Sequence, residues 1–201
     1  MAKAKNKSKP KVEVREEKIS WVLADSVVLD PTVDIAQLKT VGPFWGSWRT
    51  WRSCQTDNVI CHDQSKASEL TKRNFQNSCN FYIPNAIYTS INRPDNVRLY
   101  EGAFVHDVVH QEEIVALHLA ATTSDIVLLL GFDLSKLVAS EDRLSTHRAQ
   151  HHRNHIRQVI KDYNQITWVV VDHPGELDPS LTDLGNITQD NLQAVMALAG
   201  D

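Results

Sequence analysis

The residues best suited to chemistry follow three short apolar segments of the chain. Asp25 and Ser26 follow the first segment, His62 follows the second, and Asp133 follows the apolar run 126–130. If these segments are parallel strands, their carboxyl ends lie along one sheet edge, where open α/β folds bind ligands. Carboxylate, hydroxyl and imidazole groups there could orient a polar or phosphorylated ligand. We therefore interpret Asp25, Ser26, His62 and Asp133 as candidate ligand-binding residues.

A second group of polar residues lies in the histidine-rich segment 146–155. In a helix, His147, His151 and His155 share one stripe, and Arg148 and His152 share the next. A cationic helix start that faces the strand ends would suit a phosphate group, so we include Arg148 among the candidate ligand-binding residues. His151 and His152 are candidate general bases, because imidazole titrates near neutral pH. The alternative interpretation is a solvated polar face on a long helix.

The segment 44–52 has the most unusual composition in the chain. Trp45, Trp48 and Trp51 recur at every third residue, which in a helix would form one slowly rotating aromatic row. Such a row is typical of a core or a subunit interface, and we predict an interface role for these three residues. The alternative is a platform on which bases or sugars stack, with the neighbouring arginines binding phosphate.

Metal binding has weak support in the sequence, and we predict no metal site. His106 and His110 have the i, i+4 spacing of two metal ligands, but no third ligand is evident. The odd number of cysteines, without a C-x-x-C pair, favours reduced and mostly buried thiols over a zinc site. The residues indicate no particular cofactor, so its identity stays open.

The predicted secondary structure alternates strands with helices. The uninterrupted apolar run 126–130, ended by Gly131, is typical of a strand buried on both faces of a parallel sheet. We predict about six strands in a single doubly wound, Rossmann-like α/β domain, with a mostly parallel sheet and helices on both faces. Predicted strands cover 19–29, 58–63, 80–84, 97–100, 126–130 and 167–172, and predicted helices cover 33–38, 44–52, 64–75, 108–122, 147–163 and 188–199.

Composition restricts the class of protein. The chain of 201 residues is 42% hydrophobic, which suits one domain over 19–201 preceded by a lysine-rich arm over 1–18. Its formal net charge of −4 gives no global attraction to nucleic acid or anionic membranes, so any such contact must be local. No apolar run is long enough to span a bilayer, and the amino terminus lacks a signal-peptide core. We expect a cytoplasmic protein without membrane contact, whose arm binds a protein partner or a second copy of the chain.

The carboxyl-terminal half resembles a known group of proteins. An apolar strand that ends in Leu130-Gly131-Phe132-Asp133, a histidine-bearing helix start at 151–154 and a later strand that closes on a polar turn are similar to sialyltransferase-like, nucleotide-sugar-binding Rossmann proteins. The related pterin pyrophosphokinase-like and motility-accessory proteins share this layout. The similarity covers roughly 112–177. It implies a nucleotide ligand and places the catalytic histidine at His151 or His152.

One departure from that family bears on the expected activity. The family carries a Gly-x-Gly-Pro-Ser-Leu turn after its first strand, whereas the segment 23–29 contains no glycine. A turn without glycine hinders the approach of backbone amides to a phosphate. The compact form and the Trp-Arg segment also resemble proteins of bacteriophage genomes, for which the location would be the host cytoplasm or the virion.

Two functional hypotheses follow. The first is a degenerate glycosyl- or nucleotidyl-transferase-like domain that binds a nucleotide or phosphorylated small molecule at the strand ends, and the residues leave open whether it is catalytic. The alternative is a non-catalytic phage structural or accessory protein that assembles with partner subunits through its basic arm and its Trp-rich segment.

Overall fold

The computed structural model describes residues 17–27, 29, 33–100, 112–136 and 143–198. Eight strands form a single, entirely parallel sheet with the order β5-β4-β3-β2-β1-β6-β7-β8. The strands are β1 (Ile19–Leu23), β2 (Phe44–Ser47), β3 (Asn58–Ile60), β4 (Asn80–Pro84), β5 (Val97–Tyr100), β6 (Ile126–Leu130), β7 (Thr167–Val171) and β8 (Ile187–Asp190).

Helices connect these strands across both faces of the sheet. They are α1 (Ile35–Val41), α2 (Trp48–Cys54), α3 (Gln64–Lys72), α4 (Asn85–Ser90), α5 (Glu112–Ala121), α6 (Arg143–Asp162), α7 (Pro179–Thr182) and α8 (Leu192–Leu198). The doubly wound, Rossmann-like α/β class predicted from the sequence is confirmed, with eight strands rather than about six.

The core explains why the central strands are apolar throughout. In β6, Val127 and Leu129 belong to the cluster that packs under α5 and α6, whereas Leu128 and Leu130 belong to the cluster on the opposite face with α1 and α8. Alternate residues of a strand point to opposite faces, so a strand covered on both faces needs apolar residues at every position. A third cluster fills the space between β3, β4 and the helices α3 and α4.

The strands β2 and β8 were not predicted from the sequence, and each has a physical reason. β2 has only four residues and passes directly into α2, because the Ser47 side chain accepts hydrogen bonds from the backbone N–H groups of Arg49 and Thr50 and so caps the helix. The tryptophan spacing predicted one helix over this strand and the helix that follows it. β8 lies at the sheet edge with two exposed residues, so its composition resembles that of the helix predicted there.

Several predicted boundaries also need correction. The first strand ends at Leu23 rather than at residue 29, and the helix predicted over 147–163 begins earlier, at Arg143. The predicted helix over 108–122 corresponds to α5, and its first residues lie outside the described part of the chain. The predicted arm over 1–18 also lies almost entirely outside it.

Within the described ranges, no helix combines the length and apolarity required to cross a membrane.

Candidate functional site

The strand order creates a topological switch point between β1 and β6. The chain adds β2 to β5 on one side of β1, then returns through α5 and adds β6 to β8 on the other side. The connections that leave β1 and β6 therefore diverge and leave a crevice at the carboxyl ends of these two strands. Ligand sites of open α/β sheets lie at such points.

The loops after β1 and β6 pack closely at the switch point. The Ser26 hydroxyl donates a hydrogen bond to the carbonyl oxygen of Gly131, at 3.2 Å. Gly131 has φ +82°, and a Cβ atom there would lie 2.7 Å from the Cβ of Val27. Only glycine combines this backbone conformation with so close an approach. The chain thus does have a glycine at the switch point, in the β6 loop instead of the β1 loop.

The start of α5 brings two carboxylates to the same edge. One Glu113 carboxylate oxygen accepts a hydrogen bond from the backbone N–H of Asp25. The other lies 3.1 Å from Nε2 of His152 on α6, an ion-pair distance without hydrogen-bond alignment. Glu113 therefore connects the end of β1 to α6, across the crevice.

Asp25 is held by two further groups from β2 and α2. The Ser47 hydroxyl donates to its Oδ1, and Nη1 of Arg49 donates to its Oδ2 at 3.0 Å. The Asp25 side chain is 29% exposed, so it remains accessible to a ligand while its orientation is fixed.

Glu112 occupies a more buried position than its neighbour in sequence. Its Oε1 accepts a hydrogen bond from the backbone N–H of His62 at 2.9 Å, and its Oε2 lies 3.7 Å from Nη1 of Arg49. Burial raises the pKa of Glu112 to about 7, and the charge of Asp25 acts in the same direction. The His62 ring stacks on Tyr100 at 5.5 Å. Glu112 therefore contacts the backbone at the end of β3 and lies beside the Arg49 guanidinium.

A cavity of about 310 Å³ lies in the crevice. Its polar lining includes three carboxylates, one histidine and one arginine, so a ligand would meet both hydrogen-bond acceptors and cations. The Arg153 guanidinium donates to the carbonyl oxygens of Asp133, at 3.3 Å, and of Ser135. The lining residues are Ala24, Asp25, Ser26, Glu113, Gly131, Phe132, Asp133, Ala149, His152, Arg153 and Ile156.

The loop after β6 is fixed by a buried histidine. The backbone N–H of Leu134 donates to Nε2 of His173 at 3.0 Å, and Nδ1 of His173 lies 2.8 Å from the carbonyl oxygen of Gly175. Nε2 of His173 thus accepts from the β6 loop, and both the carbonyl oxygen and the N–H of Gly175 lie beside Nδ1. Asp133 lies on the same loop, and its pKa is lowered chiefly by a hydrogen bond from the Ser135 hydroxyl.

Four residues predicted from the sequence line this cavity: Asp25, Ser26, Asp133 and His152. His62 follows β3, two strands from β1 along the edge, where it lies beside Glu112 and is not part of the lining. His151 and Arg148 are exposed on α6 and do not line the cavity either, because the helix turns them away from the switch point. His151 instead stacks on His147, with ring centroids 6.4 Å apart, and meets His155 edge to face at 4.3 Å.

Three residues of the site were missed. Glu113 could be placed only by knowing that α5 crosses back over β3, β2 and β1, and no local pattern carries that information. Arg153 follows the histidine pair on α6, and its helical position next to His152 was the available signal. Ser47 could have been found as a helix cap that directly follows a strand.

The predicted tryptophan row does not form. Trp45 lies on β2 and is 4% exposed in the core, 5.4 Å from the Tyr82 ring, so it is not available to a partner. Trp48 and Trp51 lie on α2 and are partly buried against the third core cluster. An interface role for these two residues stays a prediction, as does a partner for the arm.

The predicted metal ligands and thiols can be placed only in part. His106 and His110 lie outside the described residues, and in the described part of the chain no group of three acidic, histidine or cysteine side chains could hold a metal ion. Cys54, Cys61 and Cys79 are free cysteines. Burial raises the pKa of Cys61 and of Cys79 to about 12, so both are held as thiols at neutral pH.

The fold and site define a parallel α/β protein with a polar cavity at its switch point. Compared with known proteins, the chain matches no family model, no curated protein and no solved structure.

Proposed function

We propose that the chain is a transferase-like ligand-binding domain whose cavity at the switch point takes a nucleotide or another phosphorylated small molecule. The observation that carries the proposal is the convergence of acidic and cationic side chains from β1, α5, β6 and α6 on one cavity at the sheet edge.

The lining suits the two ends of such a ligand. Arg153 has five N–H donors, of which the Asp133 and Ser135 carbonyl oxygens occupy some, so the guanidinium can also donate to phosphate oxygens. Asp25 and Asp133 are acceptors for sugar hydroxyls, the role that acidic residues have toward ribose in dinucleotide-binding folds. The cavity of about 310 Å³ is near the lower limit for a small-molecule site.

A transfer step would use the pair formed by His152 and Glu113. Nε2 of His152 lies 3.1 Å from a Glu113 carboxylate oxygen, and both side chains line the cavity. The imidazole would accept the proton of an acceptor hydroxyl while the hydroxyl oxygen bonds to the transferred group and the phosphate-bearing part of the ligand leaves. His152 is therefore the general base of this proposal, and His151 is its exposed neighbour.

The test compares these two adjacent histidines. The wild type, His152→Gln and His151→Gln are screened by thermal shift against nucleoside phosphates and nucleotide sugars. A ligand at about 100 times its dissociation constant adds about 2.7 kcal/mol to the free energy of unfolding, which corresponds to roughly 5–11 °C for a domain of this size. We expect His152→Gln to lose most of the shift and His151→Gln to keep it.

Two results would reject the proposal. One is the absence of a shift with every phosphorylated compound in the wild type. The other is a shift that both variants lose equally or both retain in full, because the cavity would then not be the binding site.

A further inference from the structure

A groove of about 750 Å³ lies between α3 and α4, on a part of the molecule separate from the switch-point cavity. One face of α3 forms its wall, since the lining positions follow helical spacing. The lining contains two cations and one carboxylate among neutral hydrogen-bonding groups: Gln64, Ser65, Ser68, Glu69, Lys72, Arg73, Ser90 and Ile91.

Two further cations extend this surface toward α2. Nζ of Lys66 lies 2.6 Å from one Glu69 oxygen, and Nη2 of Arg73 lies 3.1 Å from the other. Lys66 also lies 4.7 Å from the ring centre of Trp48, and the Arg52 guanidinium lies 4.8 Å from the same ring. Contacts with Trp48 and Glu69 thus bring cations of α2 and α3 together in one basic patch.

The patch carries a local charge opposite to that of the whole chain. Arg52, Lys66, Lys72 and Arg73 supply four positive charges against the carboxylates of Glu69 and of Asp63, which caps α3 beside the groove, whereas the chain as a whole is −4. Lys66, Arg73 and Arg52 all lower the pKa of Glu69, as expected where cations outnumber acids. Glu69 holds Lys66 and Arg73 in place and leaves excess positive charge.

We propose that this basic groove binds the phosphate backbone of a nucleic acid strand. Phosphate oxygens in protein complexes are contacted by Arg, Lys, Ser and Gln side chains, and this combination lines the groove. Guanidinium forks suit phosphate geometry, and neighbouring hydroxyls add donors without adding charge. An acidic peptide would meet the same charges, but its carboxylates are less regularly spaced than phosphates along a strand. The inference does not depend on the ligand of the switch-point cavity.

The test measures binding of the full chain to a fluorescein-labelled oligothymidylate of about 20 nucleotides. The groove variant is Lys72→Gln/Arg73→Gln. The matched control is Lys136→Gln/Lys161→Gln, which removes two exposed positive charges elsewhere on the molecule. All three proteins keep the lysine-rich amino terminus, so its contribution is common to them.

We expect the groove variant to bind at least about tenfold more weakly at about 50 mM salt, with the control near wild type. The slope of log K against log salt should become less steep by about 1.4, since each lost phosphate contact on a single strand removes about 0.7. Unchanged melting temperature of the variant shows that folding is intact.

Three outcomes overturn the proposal. The first is that the wild type does not bind the oligonucleotide. The second is that the control variant loses as much affinity as the groove variant. In the third outcome, polyglutamate of matched charge displaces the oligonucleotide at equal concentration, in which case the surface selects charge alone and not a phosphate backbone.

Discussion

Replacing Glu112 by Gln should change how the stability of the protein depends on pH. Glu112 is 5% exposed, and its pKa is raised from 4.5 to about 7 chiefly by burial. A carboxyl group with a raised pKa binds its proton more tightly in the folded state. Its contribution to stability is therefore complete below about pH 4.5 and is lost as the pH rises through about 7.

The magnitude follows from the difference in pKa. A rise of the Glu112 pKa from 4.5 to about 7 corresponds to about 3 kcal/mol, most of which is lost between about pH 5 and pH 8. Gln has no such charge to bury, and its side-chain oxygen can still accept from the backbone N–H of His62. The unfolding free energy of Glu112→Gln minus that of the wild type should therefore rise by roughly 2–3 kcal/mol over this range.

The difference between the two proteins isolates this group from another titration. Burial lowers the pKa of His118 to about 4, which destabilises the fold as the pH falls below about 6.5 and so opposes the effect of Glu112. The His118 contribution is the same in both proteins, so it cancels when one unfolding free energy is subtracted from the other. Glu69→Gln is a control. The Glu69 side chain is partly exposed and its pKa is lowered, so it contributes stability that is lost as the pH falls, which is the opposite sign to Glu112.

Urea unfolding followed by tryptophan fluorescence, repeated at intervals from about pH 5 to pH 8, measures the difference directly. A wild-type curve that runs parallel to that of Glu112→Gln, within about 0.5 kcal/mol over the whole range, would refute the reasoning. Glu112 would then be either solvated or ionised at a much lower pH than its surroundings imply.

Two more predictions concern the switch-point loop and the thiols. Gly131→Ala should lower the unfolding free energy by roughly 2–4 kcal/mol, because it combines a strained φ with a clash against Val27. Gly185→Ala is the matched control, since its φ is +78° but no atom lies within 4 Å of the new methyl group, and we expect a loss of only about 1 kcal/mol there. If both variants lose the same stability, the close approach of the two loops is not a constraint. Cys61 and Cys79, whose pKa values are raised to about 12, should react with a disulfide reagent at about pH 8 far more slowly in the folded protein than in urea, and equal rates would contradict their burial.

The sequence predicts the centre of this fold better than its periphery. The apolar run of β6 has the length of a strand and is ended by Gly131, which is typical of a buried parallel strand, so both its type and its position could be predicted. β2 and β8 are short, and their order depends on pairing with neighbours that are distant in sequence. The local pattern of β2, with tryptophans three residues apart, pointed to a helix that begins only at Trp48.

The same distinction applies to the site. Asp25, Ser26 and Asp133 follow strands, so the rule for carboxyl ends located them without any knowledge of packing. Glu113 belongs to the site because α5 returns over the sheet, and this is a property of the topology. His151 and His152 differ by one position, or about 100° around α6, and only the docking of that helix determines which of them faces the cavity.

The position of β1 at the middle of the sheet has a consequence for assembly of the chain. The segments before Tyr100 and after Glu112 each build a contiguous part of the sheet, and the seam between their strands is the pairing of β1 with β6. Asp25 comes from the first segment, and Asp133 and His152 come from the second, so each segment alone carries an incomplete cavity. A ligand that contacts both segments would stabilise the pairing of β1 with β6. If the chain is divided between Tyr100 and Glu112, the two fragments should therefore associate more tightly when the ligand is present.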